Sequence, residues 1–135
     1  MRHSFSAMAQ ILVIEDDPSS LTLLFECLSS MGHNVDCATD REPAESLLAC
    51  VRYDLVITDL RLTKAGGEDG LEILAGIRED SPSTRLVLVS ADLRPETEEA
   101  AREIGVDGCF GKPLELKLIQ QMVADLGRTR GRAVC

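Results

Sequence analysis

Three carboxylates and one lysine follow short apolar segments of the sequence. Glu15 and Asp16 follow the first such segment, Asp59 ends another, and Lys112, next to Pro113, follows a further one. Where parallel strands alternate with helices, the carboxyl ends of the strands open onto the crevice in which such proteins bind ligands. If these segments are parallel strands of one sheet, we expect the four charged side chains to meet in one binding pocket.

The spacing of apolar residues predicts the elements that position these charges. Short apolar runs alternate five times with stretches in which apolar residues recur at helical spacing. The predicted strands are 11–15, 34–38, 55–59, 86–90 and 108–110, and the predicted helices are 17–31, 40–51, a helix containing 71–77, 95–104 and 114–126. Strands separated by helices pair in parallel through right-handed crossovers. The predicted fold class is therefore α/β, with a doubly wound parallel sheet and helices on both faces.

Length, charge and hydropathy restrict the class of protein. A chain of 135 residues with 44% hydrophobic residues suits one globular domain. Its net charge of −9 opposes binding to nucleic acid, and no apolar run approaches the roughly 18 residues needed to cross a membrane. We expect a leader or expression remnant at 1–9, one domain at 10–127 and a basic tail at 128–135, with no direct contact to nucleic acid or membranes.

The cysteines and histidines show no spacing typical of a metal site. Five cysteines are an odd number without a CxxC pair, which favours reduced thiols in the cytoplasm. Four of them lie in or beside apolar segments, where we expect buried small side chains rather than reactive thiols. These four are Cys27, Cys37, Cys50 and Cys109, and the fifth is Cys135. We expect His3 and His33 to be solvated, because one lies in the leader and the other follows a helix-ending glycine.

Four runs in fixed order resemble the receiver domain of bacterial two-component response regulators. They are ILVIEDDP at 11–18, DLVITDLRL at 54–62, LVLVSAD at 86–92 and GKP at 111–113. The resemblance extends over about 10–126. It implies a flavodoxin-like fold with five parallel strands in the order 2-1-3-4-5.

The resemblance implies a role for each charged residue. Asp59 matches the phosphoryl acceptor, since a carboxylate can act as a nucleophile and form an aspartyl phosphate. The ligands of a Mg²⁺ ion would be Glu15, Asp16, Asp59 and the backbone carbonyl of Arg61. Ser90 and Lys112 would bind the phosphoryl group, Ala91 would leave room for the donor, and a cis bond before Pro113 would aim the lysine. Such a domain catalyses its own phosphorylation and dephosphorylation and is not an enzyme with a separate substrate.

The same resemblance implies the partners. A sensor histidine kinase or a histidine phosphotransfer protein would supply the phosphoryl group. A downstream protein would bind the face formed by the fourth helix, the fifth strand and the fifth helix. No output domain follows the matching region, so the chain is expected to be either a stand-alone regulator or one receiver of a larger protein.

Three positions depart from the usual pattern of the family. Thr63 replaces a proline and Gly70 comes eleven residues after Asp59 rather than eight, so the intervening loop is about three residues longer. Cys109 replaces an aromatic residue, and Phe110 beside it must face the opposite side of the sheet because side chains alternate along a strand. We expect a switch centred on 91–104 rather than on an aromatic ring.

Arg61 and Asp92 follow Asp59 and Ser90 by two residues and carry opposite charges. We hypothesise that they form a lid over the phosphoryl group, against the alternative of two independent solvated charges. Among other functions, a dehalogenase-type phosphatase is disfavoured because Asp59-Leu60-Arg61 lacks its second aspartate. A flavin-binding or structural domain would have no use for Lys112. A degenerate receiver that binds partners without phosphorylation stays an open alternative.

Overall fold

The computed structural model describes residues 8–62 and 69–134, with side chains as far as 125. Five strands and five helices alternate within these residues. The strands are β1 Gln10–Ile14, β2 Asn34–Ala38, β3 Leu55–Asp59, β4 Arg85–Ser90 and β5 Gly108–Gly111. The helices are α1 Pro18–Ser30, α2 Arg41–Cys50, α3 Asp69–Asp80, α4 Pro95–Ile104 and α5 Leu116–Val134. Apart from shifts of one or two residues, α5 is the main difference from the predicted bounds, since it runs eight residues past 126.

All strand pairs of the sheet are parallel, and the strand order is β2-β1-β3-β4-β5. Both features confirm the prediction. The register pairs Ile14 with Thr58, Asp59 with Val89 and Ser90 with Gly111. The carboxyl ends of β1, β3, β4 and β5 therefore lie side by side, and the residues that follow them share one edge of the sheet.

The core lies on both faces of the sheet because successive side chains of each strand point to opposite faces. Leu12 and Ile14 of β1 pack towards α2, α3 and α4, whereas Ile11 and Val13 pack towards α1 and α5. All four of these side chains are fully buried. Among the described residues, no helix is long and apolar enough to cross a membrane.

Local signals in the sequence define the ends of α1. The side chain of Asp17 accepts a hydrogen bond of 2.9 Å from the backbone N–H of Ser20, as expected for a residue that caps a helix. Pro18 occupies the first position of the helix. Gly32 follows the helix with φ of +96°, a left-handed conformation that glycine adopts without strain.

The burial expected for the cysteines is wrong for two of them. Cys27 is buried and Cys109 is partly buried, but Cys37 and Cys50 are exposed. Cys37 belongs to β2, a strand at the edge of the sheet, and Cys50 is the last residue of α2. Their apolar neighbours in sequence did not predict that these two thiols would be exposed, one on an edge strand and the other at the end of a helix. Cys135 and the loop segment 63–68, with Thr63, lie outside the described residues.

The solvent exposure expected for His33 is also wrong. Only 7% of His33 is exposed, and its Nδ1 accepts a hydrogen bond of 3.1 Å from the buried backbone N–H of Ala9. This contact joins residues 24 positions apart, so the sequence around His33 gives no sign of it. His3 lies outside the described residues.

Gly70 allows α3 to contact the backbone at the end of β3. Its N–H donates a hydrogen bond of 2.9 Å to the carbonyl of Leu60. A Cβ atom at this position would lie 2.2 Å from the carbonyl oxygen of Asp59 and 2.9 Å from the Cα of Leu60. Gly70 thus allows the first turn of α3 to lie directly against the Asp59–Leu60 peptide.

We expect Gly70→Ala to lower the free energy of unfolding by about 2 kcal/mol, because the clashing atoms belong to the backbone and cannot turn aside. Gly76→Ala in the same helix is the matched control, since a Cβ there meets no atom within 4 Å. The control should raise stability by about 0.5 to 1 kcal/mol through helix propensity. Urea denaturation of both variants measures the difference, and equal stabilities would contradict the close contact.

We expect His33 to make folding stability depend on pH. Burial lowers the pKa of His33, a trend that the charge of Asp54 opposes, and a protonated Nδ1 cannot accept the hydrogen bond from Ala9. Below the unfolded pKa of about 6.5 the unfolded chain binds the proton more readily, so the free energy of unfolding falls as pH decreases. The loss of this bond should contribute about 1 kcal/mol.

His33→Asn is the control for this pH dependence, because its amide oxygen can accept the same hydrogen bond but does not titrate. Denaturant titrations of both proteins between pH 7.5 and pH 5 measure the effect. Wild type should lose more stability than the variant over this interval. Parallel pH profiles would show that His33 does not contribute.

Candidate functional site

Three carboxylates meet at the carboxyl edge of the sheet. Glu15 and Asp16 directly follow β1, and Asp59 is the last residue of β3. Each offers an oxygen atom, and these atoms lie within 4.8 Å of one another. The structure therefore brings together the three acidic residues selected from the sequence.

Lys112 extends from the end of β5 into this acidic cluster. Its Nζ lies 2.8 Å from Oε1 of Glu15 and 3.0 Å from Oδ2 of Asp59. The three side chains are largely shielded from water, with exposed fractions of 16% for Lys112, 0% for Glu15 and 12% for Asp59. One ammonium thus bridges two carboxylates, one directly after β1 and the other at the end of β3.

Burial and charge change the pKa values of this group. Burial raises the pKa of Glu15 to about 7, and the ammonium of Lys112 limits the increase. Burial opposes the charged form of Lys112, but the nearby carboxylates of Glu15 and Asp59 outweigh that effect and raise its pKa. Lys112 therefore stays protonated at neutral pH, and the cluster holds one fixed positive charge.

The donor set fits a hard divalent cation. Oε1 of Glu15 is buried and has no hydrogen-bond partner of good geometry, although the lysine lies nearby. Oε2 of the same residue accepts a hydrogen bond of 3.1 Å from the backbone N–H of Asp17. Carboxylate oxygens that repel one another at this distance are the ligands that Mg²⁺ and Ca²⁺ prefer.

Ser90 ends β4 beside the acidic cluster. Its side chain is buried, and its Oγ accepts a hydrogen bond of 3.0 Å from the backbone N–H of Asp92. The backbone N–H of Lys112 donates to the carbonyl of Ser90 at 2.9 Å, which joins the hydroxyl to the lysine segment. Ala91 next to it is exposed. The hydroxyl hydrogen of Ser90 is thus available to donate to a ligand.

Two expectations about the end of β5 are confirmed. The Lys112-Pro113 peptide bond is cis. Cys109 packs against the core between the sheet and helices α2, α3 and α4. Phe110 packs against the core on the opposite face, between the sheet and helices α1 and α5. β5 therefore carries the small side chain of Cys109 at the position where the receiver pattern usually has an aromatic residue.

Arg61 and Asp92 approach each other, with Nη1 of Arg61 4.0 Å from Oδ2 of Asp92. Both side chains are nearly half exposed, at 45% and 47%. Arg94, which sequence reasoning missed, lies closer to the same oxygen at 2.9 Å. The spacing of two residues between Asp92 and Arg94 is the feature of the sequence that could have predicted this ion pair. The carboxylate of Asp92 therefore lies near two cationic side chains, those of Arg61 and Arg94.

Arg41, the first residue of α2, also lies near the site without any signal in the sequence. Its guanidinium contacts Asp69 and Glu72 in the first turn of α3, the turn that includes Gly70. No motif points to this contact, because Arg41 and Asp69 are 28 residues apart. It depends on how two helices pack on the same face of the sheet.

Comparisons with known proteins agree with the fold. The family model of the response regulator receiver domain matches residues 11–124. The sensor protein EvgS of Escherichia coli O157:H7 is 30% identical over 116 residues, which cover 86% of this chain and 9% of EvgS. The alginate biosynthesis transcriptional regulatory protein AlgB of Pseudomonas aeruginosa is 32% identical over 113 residues, 84% of this chain and 24% of AlgB.

A solved structure supports the fold independently. A CheY-like response regulator receiver domain protein from Methanospirillum hungatei JF-1 has a TM-score of 0.86 at 17% identity, and the match covers 94% of this chain and 99% of that one. The chain spans less than a quarter of the length of EvgS and AlgB. The family match over most of the chain, together with the fold, identifies its class: the chain belongs to the response regulator receiver domain family.

Proposed function

We propose that the chain is a phosphoacceptor signalling domain in which Asp59 receives a phosphoryl group. The observation that carries this proposal is the bridge from Lys112 to Asp59 and Glu15, because it holds a buried carboxylate next to a fixed cation. Oδ of Asp59 attacks the phosphorus atom of the donor, a new P–O bond forms, and the bond from phosphorus to the donor breaks. Hydrolysis of the aspartyl phosphate later returns the free carboxylate.

We infer that Mg²⁺ is the cofactor. Glu15, Asp16, Asp59 and the backbone carbonyl of Arg61 would hold it, and the cluster of three carboxylates supports this set. When bound, Mg²⁺ neutralises negative charge on the phosphoryl oxygens and lowers the repulsion between donor and site. Lys112 supplies a second positive charge, and Ser90 donates a hydrogen bond to a phosphoryl oxygen. Exposed Ala91 leaves the entrance free for the donor.

The phosphoryl donor in this proposal is a sensor histidine kinase or a histidine phosphotransfer protein. Relatives named as sensor proteins and as transcriptional regulatory proteins support a role in such signalling. The chain is then a stand-alone regulator or a receiver within a larger cytoplasmic protein, with a domain at 10–127. The net charge of −9 argues against direct binding of nucleic acid.

The proposed output is a change in the surface formed by α4, β5 and α5. Phosphorylation would draw Ser90 towards the phosphoryl group and shift the segment 91–104, which moves an existing equilibrium between two conformations. Cys109 offers no aromatic ring for such a switch, so α4 and the loop before it carry the signal. The alternative is a degenerate receiver that binds a partner without phosphorylation. It predicts that partner binding at this surface does not depend on phosphorylation of Asp59.

We expect acetyl phosphate to add one phosphoryl group to the chain only when Mg²⁺ is present. Without the cation, the three carboxylates repel the incoming anion. Intact-mass measurement should show the adduct in wild type and in Asp54→Asn, a control aspartate at the opposite end of β3, and no adduct in Asp59→Asn. Lys112→Ala should slow the reaction by about 100-fold, since it removes the cation beside Asp59.

Two results would contradict the assignment of Asp59. One is an adduct that persists in Asp59→Asn, and the other is labelling that is unaffected by a chelator of Mg²⁺. Absence of any adduct in wild type under all conditions would favour the degenerate alternative.

We expect Arg61 and Asp92 to form a lid that lengthens the life of the aspartyl phosphate. An exposed pair adds only about 0 to 1 kcal/mol to stability, so its effect should be to hinder the attacking water. Arg61→Ala and Asp92→Ala should each hydrolyse about twofold to tenfold faster, and the double variant should be no faster than the faster single variant.

Loss of phosphate with time, measured by mass, gives these rates. Arg102→Ala is the control, because Arg102 is exposed and pairs with Glu99 within α4. Unchanged or slower hydrolysis in both single variants would rule out the lid. Additive acceleration would indicate two independent charges instead.

A further inference from the structure

We propose that Arg41 is a positioning residue for the site around Asp59, because it ties α2 to the turn of α3 that contacts the Asp59 backbone. The inference rests on the proposed function of Asp59. It adds a residue that lies outside the acidic cluster and outside the motifs of the sequence.

The guanidinium of Arg41 joins two helices. Its Nη1 lies 3.2 Å from Oδ1 of Asp69 and 2.5 Å from Oε1 of Glu72, both in the first turn of α3. Its Nε lies 2.9 Å from Oε2 of Glu45 within α2. In the part of the chain that the structure describes, the ion pairs between α2 and α3 all use this guanidinium. The planar fork of arginine suits such a bridge, because its donors can face several carboxylates at once.

An open groove increases the importance of this bridge. A cavity of about 640 Å³ lies between α2 and α3, with Leu48 and Ala49 on one helix and Ile73 and Gly76 on the other. Side chains therefore do not fill the space between these helices along its length. The position of the first turn of α3 relative to α2 depends correspondingly more on the contacts at its Arg41 end.

That first turn lies against the backbone of the proposed site. The N–H of Gly70 donates to the carbonyl of Leu60 at 2.9 Å, and the missing Cβ of Gly70 leaves space for the carbonyl of Asp59. The carbonyl that follows that of Leu60 belongs to Arg61, and it is the proposed fourth ligand of the cation. A movement of the turn therefore displaces the acceptor and this ligand together.

Arg41→Gln tests the inference, because it shortens the side chain and removes the bridge. Mg²⁺ titrations followed by backbone amide chemical shifts should show binding about threefold to tenfold weaker, which is less than the roughly 10-fold to 100-fold loss for direct partners of metal ligands because Arg41 acts through α3. The rate of labelling by acetyl phosphate at limiting Mg²⁺ should fall by the same factor. The thermal midpoint should change by no more than about 4 °C, because exposed ion pairs contribute little to stability.

The sign of the effect on Mg²⁺ separates positioning from charge. If Arg41 acted only through its positive charge, its removal would leave Asp69 and Glu72 uncompensated and would strengthen Mg²⁺ binding. Tighter or unchanged binding in Arg41→Gln therefore overturns the proposal. Failure of wild type to bind Mg²⁺ would instead contradict the proposed function, and the inference would fall with it.

Two variants with equal charge changes give the matched control. Glu72→Gln and Glu45→Gln each remove one carboxylate from the Arg41 network, but only Glu72 lies across the groove. Glu72→Gln should weaken Mg²⁺ binding by at least about twice as much as Glu45→Gln. Equal effects would show that the bridge between the helices has no role in positioning.

Discussion

The ammonium of Lys112 between Glu15 and Asp59 is the interaction on which the rest of the site depends. Burying two carboxylates without a cation would cost several kcal/mol for each charge. A cation that contacts both must lie where β1, β3 and β5 end at the same level. The parallel register of the sheet satisfies this requirement, so the fold and the charge arrangement support each other.

The same arrangement supports the proposed reaction with an anionic phosphoryl donor. Its carboxylates would suit the proposed divalent cation, while Lys112 supplies positive charge beside Asp59, the proposed acceptor. Gly70 lets the first turn of α3 lie against the Asp59–Leu60 peptide, and a backbone hydrogen bond joins Ser90 to Lys112. The groups around Asp59 are thus held by main-chain contacts, which move less than exposed side chains.

Much of the fold could be predicted from the sequence because its signals are local. Continuous apolar runs indicated β3 and β4, and Asp17 before Pro18 indicated the start of α1. The charged residues at the strand ends were recognisable because their positions follow from the strand bounds alone. The extension of α5 to Val134 was missed, since Gly127 and three arginines resemble the end of a helix.

By itself, the sequence determined the alternation of strands and helices, the charges at the strand ends and the resemblance to receiver domains. Only the tertiary structure decided which side chains meet across the chain. It buried His33 against Ala9, exposed Cys37 on an edge strand, and brought Arg41 to the first turn of α3. These outcomes depend on contacts between residues distant in sequence, and neither hydrophobic periodicity nor a motif encodes them. Packing fixes them, because each requires elements that meet only after the sheet has formed.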